Sequence, residues 1–303
     1  MSSATRNQLI AYVASAASSL FFCSKGIFVK SAYEHGADTI TVLALRMAMS
    51  FPFFLLCAWI TSRKAAPLTR QQWNKLILLG FIGYYLSAII NFHGLKYISV
   101  GLERIVLFTY PSLVLLGGWL FLRRTIPHRT IMAMLISYVG IVISFMGEAE
   151  GLGSTSETLL GVGLVLLSAL TYAGFVVISG DLTKEMGALR FTSLVACFSC
   201  FFVFLHHGIQ HSPGDLLQVS TPLVRDGAIL AVFGTLVPFF LMGIGIQRAG
   251  SEKFAIIGSI GPAGTLVLAW LILGEIPKAT QLSGFVLSLA GGVMVSLSKA
   301  KPG

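Results

Sequence analysis

The chain has 303 residues, of which 55% are hydrophobic and only 11% charged, and its mean hydropathy is +0.84. A soluble protein covers its surface with roughly 25% charged residues, so this composition excludes an ordinary soluble enzyme and a disordered tail. The formal net charge of +9 is accounted for by membrane insertion, as shown below, and a nucleic-acid partner is not needed.

A bilayer core takes about 20 mainly apolar residues per helix. Ten segments meet or approach that length, at about 9–30, 38–60, 75–94, 100–122, 129–147, 158–180, 190–207, 227–247, 252–273 and 279–298. The first is read as a retained span. Ala14-Ser15-Ala16 resembles a signal-peptide cleavage site, but the apolar stretch before it is too short. The expected fold class is therefore an all-α polytopic membrane protein with ten transmembrane helices, and lipid is its solvent over most of the surface.

Lys and Arg set the direction. With the N-terminus inside, the inside segments hold Arg6, Arg63, Lys64, Arg70, Lys75, Arg123, Arg124, Arg129, Lys184, Arg190, Arg248, Lys253, Lys299 and Lys301. The outside segments hold only Lys30, Lys96, Arg225 and Lys278, and Lys25, Arg46 and Arg104 lie within spans. Both termini are expected in the cytoplasm, most simply at a bacterial inner membrane.

The sequence also repeats itself. A shift of 151 residues carries Glu34, Gly36 and Ala37 onto Glu185, Gly187 and Ala188. It carries Pro111 and Trp119 onto Pro262 and Trp270, and Ser137 and Gly140 onto Ser288 and Gly291. Residues 1–150 and 151–303 thus read as two five-span repeats. Five is odd, so the second copy must enter the membrane the other way up, as in many secondary transporters.

The stretch GLKYISVGLERIVLFTYPSLVLLGGWLFLRRTIP, repeated as GIQRAGSEKFAIIGSIGPAGTLVLAWLILGEIP, resembles the fourth span and following loop of EamA-type repeats of the drug/metabolite transporter superfamily. Leu273-Gly274-Glu275 matches the usual end of that helix, whereas Leu122-Arg123-Arg124 departs from it. The resemblance implies ten helices around a central cavity lined mainly by spans 1, 3, 4, 6, 8 and 9. It also implies export or exchange of amino acids or related small metabolites.

Polar residues within spans are costly and usually face protein or water. Lys25, Arg46, Glu103 and Arg104 fall at similar depths in the outer half, with Asn91 and His93 near the end of span 3. Helical spacing aligns Tyr84, Ser87 and Asn91 on span 3, Glu103 and Tyr110 on span 4, Ser18 and Lys25 on span 1, and Ser168, Tyr172 and Ser179 on span 6. Ser259 and Pro262 share a face of span 9. The candidate substrate cavity comprises Lys25, Tyr84, Ser87, Asn91, Glu103, Tyr110, Tyr172, Ser179 and Ser259. Arg46, His93 and Arg104 are candidates for a gate or a structural charge. The alternatives are a static ion-pair network, snorkelling of the long cations and helix–helix hydrogen bonding. Pro111 and Pro262, in equivalent mid-span positions, are candidate hinges or fixed kinks. Gly117-Gly118, Gly161/Gly163 and Gly291-Gly292 are expected to allow close helix packing.

Cys23, Cys57, Cys197 and Cys200 all lie in apolar runs, and Cys197-x-x-Cys200 has no second ligand pair. His207 and His211 are one turn apart, but no acid or thiol is spaced to complete a metal site. No metal, cofactor or catalytic residue is expected, and no nucleotide fingerprint is present. The expected partners are a small-molecule substrate and the lipid bilayer, with a homodimer allowed. The reading is a secondary transporter, an exporter or exchanger, with carboxylate-bearing solutes favoured by the positive outer cavity. Efflux of drugs or of cationic or neutral metabolites is the alternative, and a membrane receptor or scaffold the non-transport one. Glu103 is the first candidate for proton coupling, with Lys25 as its neighbour.

Overall fold

The computed structural model describes residues 3–63, 65–122, 126–149, 155–212, 214–241, 244 and 261–296. Among these, ten membrane helices follow the predicted spans in order. They are α1 (Ser3–Glu34), α2 (Thr39–Ser62), α3 (Arg70–Gly94), α4 (Val100–Leu107 and Tyr110–Leu122), α5 (His128–Ala149), α6 (Thr155–Met186), α7 (Ala188–Gln210), α8 (Thr221–Leu241), α9 (Gly261–Leu273) and α10 (Ala279–Ser296). The first eight contain stretches long and apolar enough to cross a bilayer, and α9 and α10 contribute shorter apolar stretches. Residues 252–260 of the ninth predicted span, including Ser259, lie outside the described residues. Several helices outrun the apolar segments that announced them. α1 begins at Ser3 and α6 continues to Met186, because a helix does not stop where its hydrophobicity does.

The helix ends are set by local chemistry. The Asp38 carboxylate accepts from the Thr41 N–H at 3.0 Å and caps α2. Burial pushes the Asp38 pKa up, but the hydrogen bonds from Thr41 and His211 outweigh it and hold the group below its ordinary value. Thr69 and Gln72 form a reciprocal capping box at α3. Ser99 caps α4 through the Leu102 N–H. Past α1 and α6 the chain turns through Gly36 (φ 83°) and Gly187 (φ 82°), a left-handed conformation that favours glycine. These two glycines are partners under the 151-residue shift.

The packing obeys the duplication. α2 packs on α7 and α5 on α10, so equivalent helices meet each other. α6 packs on α3 and α4, and α1 packs on α8 and α9. Each of those contacts is the other with the repeats exchanged, which is the signature of a two-fold axis. With five crossings per repeat, that axis lies in the plane of the membrane. The connections after odd-numbered helices collect on one face, called here the odd-loop face. Across it His35 Nδ1 meets Asp226 Oδ2 at 3.0 Å and His211 Nε2 meets Asp38 Oδ2 at 2.9 Å. On the opposite face Arg190 donates to the Ala66 carbonyl at 3.0 Å and to Ser62 Oγ at 3.2 Å.

The α5–α10 seam is built from small residues. Ser137 and Ser288, equivalent positions, place their hydroxyls 3.4 Å apart. A Cβ on Gly140 would run into the Ser288 N–H and the Gly284 carbonyl, and one on Gly291 into the Ser137 N–H and the Ala133 carbonyl. Gly161 is likewise hemmed in by Ile98, Tyr97 and the Gly94 carbonyl, whereas Gly163 has nothing within 4 Å of its missing Cβ and takes no part in close packing. Trp119 and its equivalent Trp270 are both 54% exposed. The indoles of the repeated motif therefore lie on the periphery of the bundle.

The two glycines make a matched test. Gly140→Ala forces backbone apart and should destabilise the protein by roughly 1–3 kcal/mol. Gly163→Ala meets open space and should stabilise its helix by up to about 1 kcal/mol. Thermal unfolding of the two purified variants, by intrinsic fluorescence, should move in opposite directions.

Candidate functional site

α3 is not a uniform helix. Its middle turn, Gly80–Leu86, is π-helical, and so is Val232–Leu236 in α8. The 151-residue shift carries the first segment over the second and Gly83 onto Gly234. A π turn inserts one extra residue and leaves backbone carbonyls poorly paired, and such turns concentrate at functional sites. Thr235 Oγ1 compensates by donating to the Leu230 carbonyl at 3.0 Å. Each bulge presents its glycine to the first helix of the opposite repeat. Gly83 abuts Phe175 of α6, and a Cβ on Gly234 would sit 3.7 Å from Lys25 Cβ of α1.

α4 is broken as well, at Phe108–Thr109. Pro111 has no N–H to offer the Leu107 carbonyl, and a proline disfavours helix in the residue before it. The Thr109 N–H and Oγ1 both turn back to the Val106 carbonyl, at 3.1 and 2.8 Å. The break leaves Val100–Leu107 as a short helix carrying Glu103 and Arg104. At Pro262 only the residues from Gly261 onward are described, and these are helical.

Five of the predicted polar residues converge. The Asn91 Nδ2 donates to Glu103 Oε1 at 2.8 Å, and Glu103 is fully buried. Arg104 Nε stands 3.7 Å from Glu103 Oε2, and its guanidinium also donates to the Phe22 carbonyl at 3.3 Å. Gly26 leaves room for the carboxylate, since a Cβ there would lie 3.7 Å from Glu103 Oε2 and 2.9 Å from Val100 Cγ1. Lys25 and Arg46 both sit against the ring of Phe92, with Lys25 Nζ 5.3 Å and Arg46 Cζ 5.2 Å from its centroid. A cation over a desolvated ring gains up to about 2 kcal/mol. Counted along their helices at about 1.5 Å per residue, these groups lie about 5–14 Å from the odd-loop ends.

Glu103 and Arg104 balance each other. Among the described residues neither Lys25 nor Arg46 has a carboxylate within ion-pair distance, so the cluster as a whole is positive. Arg46 Nε, Arg104 Nε, Asn91 Oδ1 and Glu103 Oε2 are buried and make no hydrogen bond there.

A second group is aromatic. Tyr110 and Tyr172 meet at 5.4 Å between centroids, Tyr172 stacks on Phe175 at 5.8 Å, and Tyr84 packs edge-on to Phe175 at 5.4 Å. These rings join α3, α4 and α6.

The remaining candidates lie elsewhere or are otherwise engaged. Ser87 exchanges hydrogen bonds with Ser168, whose Oγ donates to the Ser87 carbonyl at 2.8 Å, and the pair fastens α3 to α6. Ser179 donates within its own helix to the Val176 carbonyl at 3.2 Å. His93 is exposed, packed edge-on to Tyr97 at 5.9 Å. His206 contacts Tyr85 Oη through Nδ1 at 2.8 Å. No group of three His, Cys, Asp or Glu placed to hold a metal occurs among the described residues. Phe92, Phe175 and the two π turns belong to the site but carry no signal in the sequence beyond hydrophobicity and glycine.

An inverted two-fold bundle with ionisable groups buried among its inner helices is the architecture of a secondary transporter. The sequence profile of the EamA-like transporter family matches residues 9–146 and again residues 159–297, and the chain belongs to that family. It is 30% identical to the uncharacterized transporter YcbK of Bacillus subtilis over 268 residues, spanning 87% of this chain and 85% of that protein. It is 23% identical to the uncharacterized transporter YetK of the same organism, spanning 98% of this chain and 89% of that one. A solved structure described as the crystal structure of a protein shares the fold, with a TM-score of 0.65 at 14% identity over 94% of this chain and 95% of that one.

The Asn91–Glu103 bond should be a structural necessity of the site. Asn91→Leu leaves a buried carboxylate short of a donor and should cost roughly 1.5–3 kcal/mol. Adding Glu103→Gln, which removes the charge, should recover part of that loss in a double-mutant cycle read by thermal unfolding.

Proposed function

We propose that the protein is a secondary transporter, an exporter or exchanger working by alternating access, for small carboxylate-bearing metabolites, amino acids foremost. In this reading it sits in a bacterial inner membrane with both termini in the cytoplasm, which makes the odd-loop face external. The observation that carries the reading is the pair of cations, Lys25 and Arg46, held against one phenyl ring with no carboxylate among the described residues within ion-pair distance of either. A buried cation without a counter-ion is costly, and a carboxylate on the substrate relieves that cost. Glu103 Oε2 and Asn91 Oδ1 are acceptors without donors, which suits an ammonium a few ångströms away. The Tyr110–Tyr172–Phe175–Tyr84 layer then supplies an apolar wall for a side chain.

Those same rings favour a second reading, in which the substrate is a cationic or neutral aromatic compound. In proteoliposomes holding the purified protein, labelled amino acids should move and a quaternary ammonium dye should not. Arg46→Gln should lower that flux about ten-fold or more, since each ten-fold corresponds to about 1.4 kcal/mol and a hydrogen bond to a charged group contributes about that much. Equal flux of dye and amino acid, or an unaffected Arg46→Gln, overturns the carboxylate reading. Glu103→Gln should abolish the dependence of flux on an imposed pH gradient. A wild-type pH dependence in that variant removes Glu103 from proton coupling.

A further inference from the structure

Glu275 closes α9 beyond Gly274, whose φ of 68° turns the chain out of the helix, and its carboxylate reaches across the odd-loop face. One oxygen lies 2.8 Å from Lys30 Nζ of α1, and the other accepts from the Val100 N–H at 3.1 Å. Val100 is the first residue of α4, so the carboxylate also sits at the positive end of that helix dipole. A single side chain thus joins α1, α4 and α9, three of the helices that surround the charged cluster. The first turn of α4 runs from Val100 to Glu103, so the group that holds Glu275 at one end holds the buried acid at the other. The ion pair is not locked in solid protein. Its side chains are 25% and 23% exposed, and a cleft of about 250 Å³ lined by Glu275, Lys278, Ser99 and Leu102 opens beside it.

The duplication adds a sequence observation. The 151-residue shift carries Lys30 onto Asp181 and Glu275 onto Arg124. The acid now stands at the position that matches Lys30 and the base at the position that matches Glu275, so the charges are exchanged between the two. The neighbouring Arg123 makes that basic character insensitive to a one-residue slip. Arg124 and the side chain of Asp181 lie outside the described residues, and this correspondence rests on register alone.

We propose that the Lys30–Glu275 pair is a releasable closure of the odd-loop face, coupled to the Glu103 site through the first turn of α4. The proposal rests on transport by alternating access but not on the identity of the substrate. Releasing the pair removes the tie between the odd-loop ends of α1 and α9 and loosens the helix end that positions Glu103. In a two-fold bundle, opening one face is linked to closing the other, so loss of this pair should favour closure of the opposite face.

Hydrogen–deuterium exchange of the full-length protein in detergent, without any ligand, tests this. Glu275→Gln keeps an oxygen for the Val100 N–H and loses the ion pair, while Lys30→Met leaves the Glu275 cap untouched. Both should speed exchange at 95–101 and 274–279 roughly two- to five-fold, the range for a partly exposed pair, and slow it at 63–69 and 126–129. Faster exchange on both faces in Glu275→Gln and Lys30→Met would mean simple loosening and would overturn the proposal, as would no change at 95–101 in Lys30→Met. Because no substrate enters the measurement, its failure leaves the carboxylate reading standing, and a failed flux assay leaves this one standing.

Discussion

A chain that crosses a bilayer five times finishes on the side opposite to where it began, and a second copy of the same five helices must therefore run upside down. Lipid enforces the count, because each crossing has to satisfy its own backbone hydrogen bonds as a helix. From that constraint follows the pattern of contacts: α2 against α7, α5 against α10, and α1 and α6 each packed on the third and fourth helices of the other repeat. Neither repeat closes its own interior. Each lends its first helix to the other, and the polar groups lie where the loans meet.

The seams of the bundle divide into two kinds. α5 and α10 approach until backbone meets backbone, with Gly140, Gly284 and Gly291 leaving no volume to spare. Small flat surfaces of that sort resist sliding and make a fixed spine. α3, α4 and α8 are interrupted instead, by π turns at Gly80–Leu86 and Val232–Leu236 and by the break before Pro111. A helix with an unpaired carbonyl bends more cheaply than a continuous one. The irregular helices α3, α4 and α8 each touch α1 or α6, so compliance is placed next to the charged and aromatic groups.

How much of this was legible follows from which forces leave a periodic trace. Burial in lipid does so strongly, so ten spans, their alternating threading and the duplication could be read from apolar runs and from the Pro111/Pro262 and Trp119/Trp270 spacings. Ionisable residues in apolar runs are conspicuous for the same reason, and Lys25, Arg46, Asn91, Glu103 and Arg104 do converge. What could not be read depends on three-dimensional neighbours. Phe92 is one of 22 phenylalanines, and nothing local distinguishes the ring that two cations share. Gly83 and Gly234 look like ordinary packing glycines, since a π turn has no composition of its own. Ser87 lies on the same helical face as Asn91 yet spends its hydroxyl on Ser168. A stripe tells which side of a helix a residue is on, not what meets it there. Glu275, marked in the sequence only as part of the Leu273-Gly274-Glu275 helix end, shows what it ties together only once Val100 and Lys30 are seen to surround it.

The two-fold scaffold holds a site that is not two-fold. Under the 151-residue shift Lys25 corresponds to Val176, Arg46 to Cys197, Asn91 to Met242 and Glu103 to Phe254. Among the described residues every charge in the cluster comes from the first repeat, and the sequence of the second has apolar or small residues at the matching positions. A fully symmetric bundle would have inward-open and outward-open states of equal energy. Here the charges lie within about 14 Å of the odd-loop face, counted at about 1.5 Å per residue, so opening that face hydrates them and opening the other does not. Hydration favours the ionised groups, so under the alternating-access reading proposed above the empty protein would be biased toward opening on the odd-loop side. The Lys30–Glu275 pair, as the proposed closure of that same face, would pull the other way. In the proposed carboxylate reading, a substrate that neutralises Lys25 and Arg46 would remove much of the hydration bias while leaving the pair in place. Binding would then shift the balance toward the state closed on the odd-loop face, the differential interaction that alternating access requires of a ligand.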